Sequence, residues 1–317
     1  MKHLCISVII STYNRADLLP EAIDSLLSQT RIPDEIIVVD DGSVDNTPEV
    51  LAQYGLPVIA IRQDNQGLAA GRNTGLRAAA GDLIAFLDSD DMLTDASIEK
   101  RARFLEASGG YDVVYSNVLM TDTHGQPLCL YTEIRPGKRP SGRVFAHFAL
   151  YNLMPVHAFM FRRTCLGVTG PFDETLASLE DYDLWLRMAA HFEFAYLDEP
   201  LAHYRLHPSM MTVKHQERMQ RDELRVHSCV FDMLAFKELT RAEQARVYSA
   251  HGKRHGSLGD MRQARRCFWE AIRLSPASTR PYIFMALTLI GRRGFSATLN
   301  GYGRLRGDKR FFGPQEK

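Results

Sequence analysis

Short apolar runs alternate with helix-period stretches through the first third of the chain. "CISVII" (5–10), "EIIVV" (35–39), "LPVIAI" (56–61) and "LIAFL" (83–87) are short, rich in branched residues and bounded by turn formers, so each reads as a strand. After the first, Leu18, Leu19, Ala22, Ile23, Leu26 and Leu27 recur at three-to-four spacing and form one buried helical stripe, which Pro33 ends. "DDGSVDNTPEV" turns and restarts a helix, with Thr47 as N-cap and Pro48 at the first helical position. "GLAAGRNTGLRAAA" (67–80) is a small-residue helix closed by Gly81, and Thr94 or Asp95 opens "DASIEKRARFLEAS". Strand–helix alternation of this kind predicts an α/β domain with a mainly parallel sheet.

The rhythm then changes. A strand pair is expected around 111–120 and 127–133, with "DTHGQP" as its turn. Residues 134–215 are less regular: "HAFMFRR" (157–163) reads as a strand, "SLEDYDLWLRMAAH" (178–191) as a helix, and "FEFAYLDEPLAHYRLH" as two short strands. After about residue 215 strand signals vanish. The stretch 243–275 resembles one tetratricopeptide-like helix pair, with a Gly259-Asp260 turn and Ala264, Phe268, Ala271 and Leu274 on one face. A free solenoid needs about three such repeats, so the region reads as a helical appendage. The expected organisation is a catalytic domain over 1–215 and a helical C-terminal region over 216–317.

Composition narrows the class. With 45% hydrophobic and 24% charged residues among 317, the chain can bury a core. A formal net charge of zero gives no global field for nucleic acid. Five cysteines without a CxxC pair read as reduced thiols of a cytoplasmic protein, and neither they nor the scattered histidines form a metal-ligand pattern. "MKHLCISVII" mimics a signal peptide but lacks a cleavage site and reads better as a first strand. The apolar run "YIFMALTLIG" (282–291) is half of what a membrane span needs.

Two acidic clusters follow strands: Asp40-Asp41 after the second, and Asp88, Asp90 and Asp91 after the fourth. In open α/β sheets ligands bind beyond the carboxyl ends of the strands. Taken singly, "DDGS" also fits a tight turn, and "DSDD" also fits negative charge at a helix start. Acidic oxygen clusters suit hard cations as well.

In combination these segments resemble glycosyltransferase family 2, whose GT-A fold is Rossmann-like. The resemblance rests on "SVIISTYNRADLLPEAIDSLLSQT", "EIIVVDDGSVDNT", "NQGLAAGRNTGLRAAAGDLIAFLDSDD" and "LEDYDLWLRM", in that order, over about residues 4–210. It implies a nucleotide-sugar donor and a Mg2+ or Mn2+ cofactor. Ser11 and Tyr13 would line the nucleotide pocket; Asp41 would accept from the base, with Asp40 supporting the loop; Arg72 would reach toward base or diphosphate. "DSD" matches the family's DxD pattern, which implies Asp90 as direct metal ligand and Asp88 near the ribose or the ion's waters. The "ED" position implies Asp181 as general base of an inverting single displacement, with Glu180 second. A capping role from Ser178, three residues before Asp181, is the structural alternative. Trp185 reads as a core aromatic or an acceptor platform. In "HYRLHPS", His207 or Arg205 would sit over the diphosphate, His207 as a candidate metal ligand.

From Gly291 onward seven basic residues face two acids, a net charge of +5. That suggests a solvated tail, or peripheral contact with an anionic membrane at its inner face. Such contact would suit a lipid-linked acceptor, a glycan being the alternative, in polysaccharide or cell-surface glycan assembly. A sugar nucleotidyltransferase is a poor rival, because the Gly-rich stretch follows the third strand and no Lys completes a phosphate clamp. A non-catalytic scaffold is opposed by the presence of Asp41, Asp88, Asp90 and Asp181 together.

Overall fold

A computed structural model of the chain describes residues 3–135, 137–207 and 216–305. They form two compact units. The first comprises residues 1–133, 138–143 and 153–207; the second comprises 134–137, 144–152 and 208–317.

The first unit is built on a nine-stranded sheet with flanking helices. Its leading half is β1 (Ile6–Thr12), α1 (Leu19–Leu27), β2 (Glu35–Asp40), α2 (Thr47–Leu51), β3 (Val58–Arg62), α3 (Leu68–Ala78) and β4 (Leu83–Asp88). Strand order β3-β2-β1-β4 is parallel throughout. β1 is buried along its whole length, its apolar residues joined by the buried hydroxyls of Ser7, Ser11 and Thr12, as a parallel strand covered on both faces requires. The register sets Thr12 beside Asp40 and Ser11 beside Asp88. The two acidic clusters therefore flank one strand end, two strand spacings or ~10 Å apart.

The rest of the sheet is mixed. β5 (Met92–Leu93), α4 (Ser97–Ala107), β6 (Val113–Thr121), β7 (Pro127–Leu130), β8 (Phe159–Arg162), α5 (Glu180–Ala189) and β9 (Phe194–Arg205) follow. β8 lies antiparallel between β4 and β6, and β9 runs parallel to β6. The segment expected as two short strands is the single strand β9; register shifts between Ser116 and Val118 absorb its irregular middle. Helix α4 starts at Ser97, later than Thr94 or Asp95, because the Thr94 amide is still bonded to Leu201 at the sheet edge. The second helix has Asn46 rather than Thr47 at its cap position. Trp185 is fully buried and stacks on Phe159 with ring centroids 4.3 Å apart, so it belongs to the core and not to an acceptor platform.

The second unit is helical: α6 (Gln216–Cys229), α7 (Arg241–Leu258), α8 (Met261–Leu274), α9 (Arg280–Leu287) and α10 (Gly291–Leu305). A Thr240–Glu243 capping box starts α7, and Gly259 in the left-handed region ends it before Asp260 caps α8. Ala264, Phe268, Phe284 and Phe295 pack together as one core cluster of this unit. Phe295 corrects one expectation: the stretch from Gly291 begins as a helix that contributes to the core, and only 306–317 lie outside the described residues. No described helix is long and apolar enough to cross a membrane.

Candidate active site

The loops after β1 and β2 are latched together. Asn14, held at a φ of 52°, donates its amide to Ser43 Oγ (2.9 Å) and accepts the Val44 N–H (2.8 Å). Asp40 is buried and folds its own turn, accepting the Ser43 N–H at 2.9 Å, with Arg62 3.5 Å away. Asp41 organises the next loop: it accepts from Gln63 Nε2 (2.7 Å), Gln66 N (2.9 Å) and Gly67 N (2.8 Å). Tyr13 stands out from this scaffold with 46% of its surface exposed, a flat aromatic face beside the Asp40-Asp41 turn. Ser11 is buried under α3, so tightly that a Cβ on Gly71 would collide with its Oγ. That close approach sets Arg72 over the end of β4.

Arg72 is the hub. Its guanidinium is buried, donating one nitrogen to Asp88 Oδ1 (2.6 Å) and the other to Glu180 Oε1, with the Phe172 ring 5.5 Å from Cζ. These bonds tie the end of β4 to the start of α5. The N-cap position of α5 is Leu179, in the left-handed region, one residue later than the Ser178 of the structural alternative. Asp181 accepts the Tyr182 N–H at 2.7 Å. Burial, then repulsion from Glu180, pushes its carboxyl up to about 7, with Arg72 pulling the other way.

Asp90, two residues after Asp88, faces other partners. Its Oδ2 is 2.9 Å from His207 Nε2 and 3.6 Å from Arg15. Burial opposes ionisation, but the His207 hydrogen bond and the Arg15 charge hold Asp90 below the usual carboxylate range. His207, 117 positions away in the chain, is thus brought onto the acidic cluster.

The family model for glycosyl transferase family 2 matches residues 7–164. YwdF of Bacillus subtilis (strain 168), named an uncharacterized glycosyltransferase, is 33% identical over 195 residues, 59% of this chain and 69% of that one. The chain belongs to glycosyltransferase family 2. An uncharacterized glycosyltransferase of Rickettsia typhi is 30% identical over 211 residues, 65% of each chain. The chain thus spans about two thirds of the length of these curated relatives. Among solved structures, Staphylococcus aureus TarS 1-349 in complex with UDP-GlcNAc superposes with a TM-score of 0.65 at 18% identity, over 95% of this chain and 92% of that one. The mannosyltransferase PcManGT of Pyrobaculum calidifontis, in complex with GDP-Man and Mn2+, gives 0.62 at 17%, over 97% and 84%. These two likenesses are of fold.

The family 2 domain brings one further residue to the acidic cluster that local pattern did not reveal, His157, which arrives through Asp91. Asp91 is buried, accepts the Arg205 N–H at 2.8 Å and lies 2.9 Å from His157 Nδ1. Burial raises its carboxyl to about 6 against the pull of His157, with Asp90 and Asp88 adding to the rise. Potential ligand atoms of Asp88, Asp91 and His157 all lie within 4.8 Å of one another. His157, in the single helical turn just before β8, carried no local signal, and only the tertiary fold sets it under the cluster. Arg205, weighed for the diphosphate, instead reaches back to Glu21 and Met92.

The donor set fits a divalent cation. Asp88, Asp90 and Asp91 crowd within four positions, and the ligand atoms of Asp88, Asp91 and His157 lie close enough to share one ion. Carboxylate oxygens with an imidazole beside them suit Mg2+ or Mn2+, which favour hard oxygen donors.

Proposed function

We propose that this family 2 protein transfers a sugar from a nucleotide-diphosphate donor, UDP-linked by first expectation, to a hydroxyl of a glycan or lipid-linked acceptor with inversion. The observation that carries the reading is the Arg72 bridge, which joins the Asp88 side to the Glu180-Asp181 side in one cluster beyond the strand ends. Both structural neighbours named above were captured with nucleotide-diphosphate sugars, one of them with Mn2+.

Tyr13 offers a stacking face for the base, and Asp41, already shaped by three donors, lines the same turn. Asp90 and His207, with Asp88 beside them, would hold the cation. When bound, that cation neutralises the diphosphate and stabilises charge on the departing phosphate oxygen. Asp181 takes the proton of the acceptor hydroxyl. The acceptor oxygen then bonds to the anomeric carbon as the bond from that carbon to the phosphate oxygen breaks, and the nucleoside diphosphate leaves with the electron pair. A carboxyl near 7 is matched to proton removal at neutral pH. Residues 306–317, with Arg306, Lys309, Arg310 and Lys317 against Asp308 and Glu316, would add a peripheral hold on an anionic membrane.

The test is a panel of nucleotide sugars with Mn2+, scored for nucleoside diphosphate release and thermal shift. One donor should raise the melting temperature only with Mn2+, and Asp90→Ala should abolish that metal-dependent rise. Release of pyrophosphate, or an unchanged shift in the variant, overturns the assignment.

A further inference from the structure

The second unit carries a cluster of metal-binding chemistry that the sugar-transfer reading does not use. His251 and His255 lie one turn apart on α7, so both imidazoles project from one face. Their Nε2 atoms are 3.2 Å apart. Cys267 on α8 joins them, and the three potential ligand atoms lie within 4.8 Å of one another. Two nitrogens bound tetrahedrally to Zn2+ at about 2.05 Å would sit roughly 3.3 Å apart, and a thiolate at about 2.3 Å fits the same shell. The observed nitrogen separation is already that of a tetrahedral edge.

Packing explains why the thiol arrives there. Gly252 follows His251 on α7, and a Cβ at that position would lie 2.8 Å from the Phe268 ring of α8. The absent side chain lets α8 close in, and Cys267, next to Phe268, is carried against the imidazoles.

The surrounding groups complete the pattern. Asp260 Oδ2 lies 3.6 Å from His255 Nδ1, within ion-pair reach behind the imidazole and a short movement from the hydrogen bond that orients a metal-binding histidine. On the other side, His227 Nδ1 is 3.1 Å from His251 Nδ1, which leaves Nε2 of His251 as the inward-facing atom.

We propose that His251, His255 and Cys267 form a site for a thiophilic divalent transition-metal ion, Zn2+ foremost, which clips α7 to α8. Three protein ligands leave a fourth position for water or an exogenous ligand. Binding breaks the Cys267 S–H bond, and that proton leaves to solvent as the thiolate takes the metal. Any proton on His251 Nε2 moves to Nδ1, where His227 faces it. The oxygen-rich cluster of the first unit prefers harder cations, so the two sites differ in ligand chemistry.

The test uses the full chain, stripped with a chelator and titrated with Co2+ and then Zn2+. One equivalent of Co2+ should produce a thiolate-to-cobalt charge-transfer band that Zn2+ abolishes. Cys267→Ser should lose the band and Cys229→Ser should keep it. Asp260→Asn retains a good cap for α8 but loses the charge behind His255, and should weaken Zn2+ binding ~10–100-fold. If Cys267→Ser fails to fold, His255→Gln, at a half-buried position, serves in its place and should weaken Zn2+ at least as much as Asp260→Asn. Absence of the band, its survival in folded Cys267→Ser, or unchanged Zn2+ affinity in Asp260→Asn and His255→Gln overturns the site.

Discussion

Replacing Asp181 with Asn separates what this residue costs the fold from what it does for chemistry. Its carboxyl sits at about 7, against a usual value of 3.8. The folded protein therefore holds the proton more tightly than the unfolded chain between those values. Stability is highest below about pH 4, falls as pH rises through the window, and levels off above about 7. At ~1.4 kcal/mol per pH unit, the wild type loses about 2–3 kcal/mol from this group between pH 5 and pH 8. Asn carries no charge to desolvate and can still accept the Tyr182 N–H through its carbonyl oxygen. Urea unfolding of both proteins at the two pH values isolates the effect, since other groups cancel in the difference. The stability advantage of Asp181→Asn should widen by about 2–3 kcal/mol from pH 5 to pH 8, while turnover falls ~10²–10⁴-fold. A gap that is constant, or that narrows with pH, refutes the buried-charge reasoning; retained turnover removes Asp181 from the role of base.

In the wild type, kcat/KM should climb with pH to a plateau above about 7, and a profile flat from pH 5 to 8 would exclude a base with the Asp181 environment. Arg72→Ala leaves Asp88 and Glu180 without their shared cation and should destabilise the fold by ~3–5 kcal/mol, measured by denaturant unfolding. Gly71→Ala pushes a methyl group into Ser11 Oγ and should cost ~1–3 kcal/mol, with weakened donor binding as α3 shifts. Removing residues 306–317 should lower sedimentation with anionic vesicles while preserving the melting temperature, because Phe295 stays in place; equal sedimentation ends the membrane reading.

The parallel half of the sheet was readable because its strands are short, mainly apolar runs, α1 carries one apolar stripe and α3 is marked by its small residues. The acidic clusters were readable too, since chain order alone puts them at strand ends. What local pattern could not show is which side chains arrive from afar. Glu180 reaches Arg72 across 108 positions and Arg205 reaches Asp91 across 114, and no neighbouring residue encodes either meeting. The continuous β9 was obscured by Asp198-Glu199-Pro200, which reads as a break but is accommodated as an irregularity against β6. The pair His251 and His255 did carry a helical spacing signal, yet its third member lies on another helix and shares no motif with it.

Because one guanidinium grips carboxylates from two distant segments, neither half of the cluster can be re-engineered in isolation. Neutralising Asp88 would leave Arg72 with more charge to spend on Glu180 and Asp181, lowering the raised Asp181 carboxyl and weakening it in its proposed role as proton acceptor. Under the roles proposed for Asp88 and Asp181, donor preference and proton transfer would be geared together, and variants selected for a new sugar would need a compensating change at the start of α5.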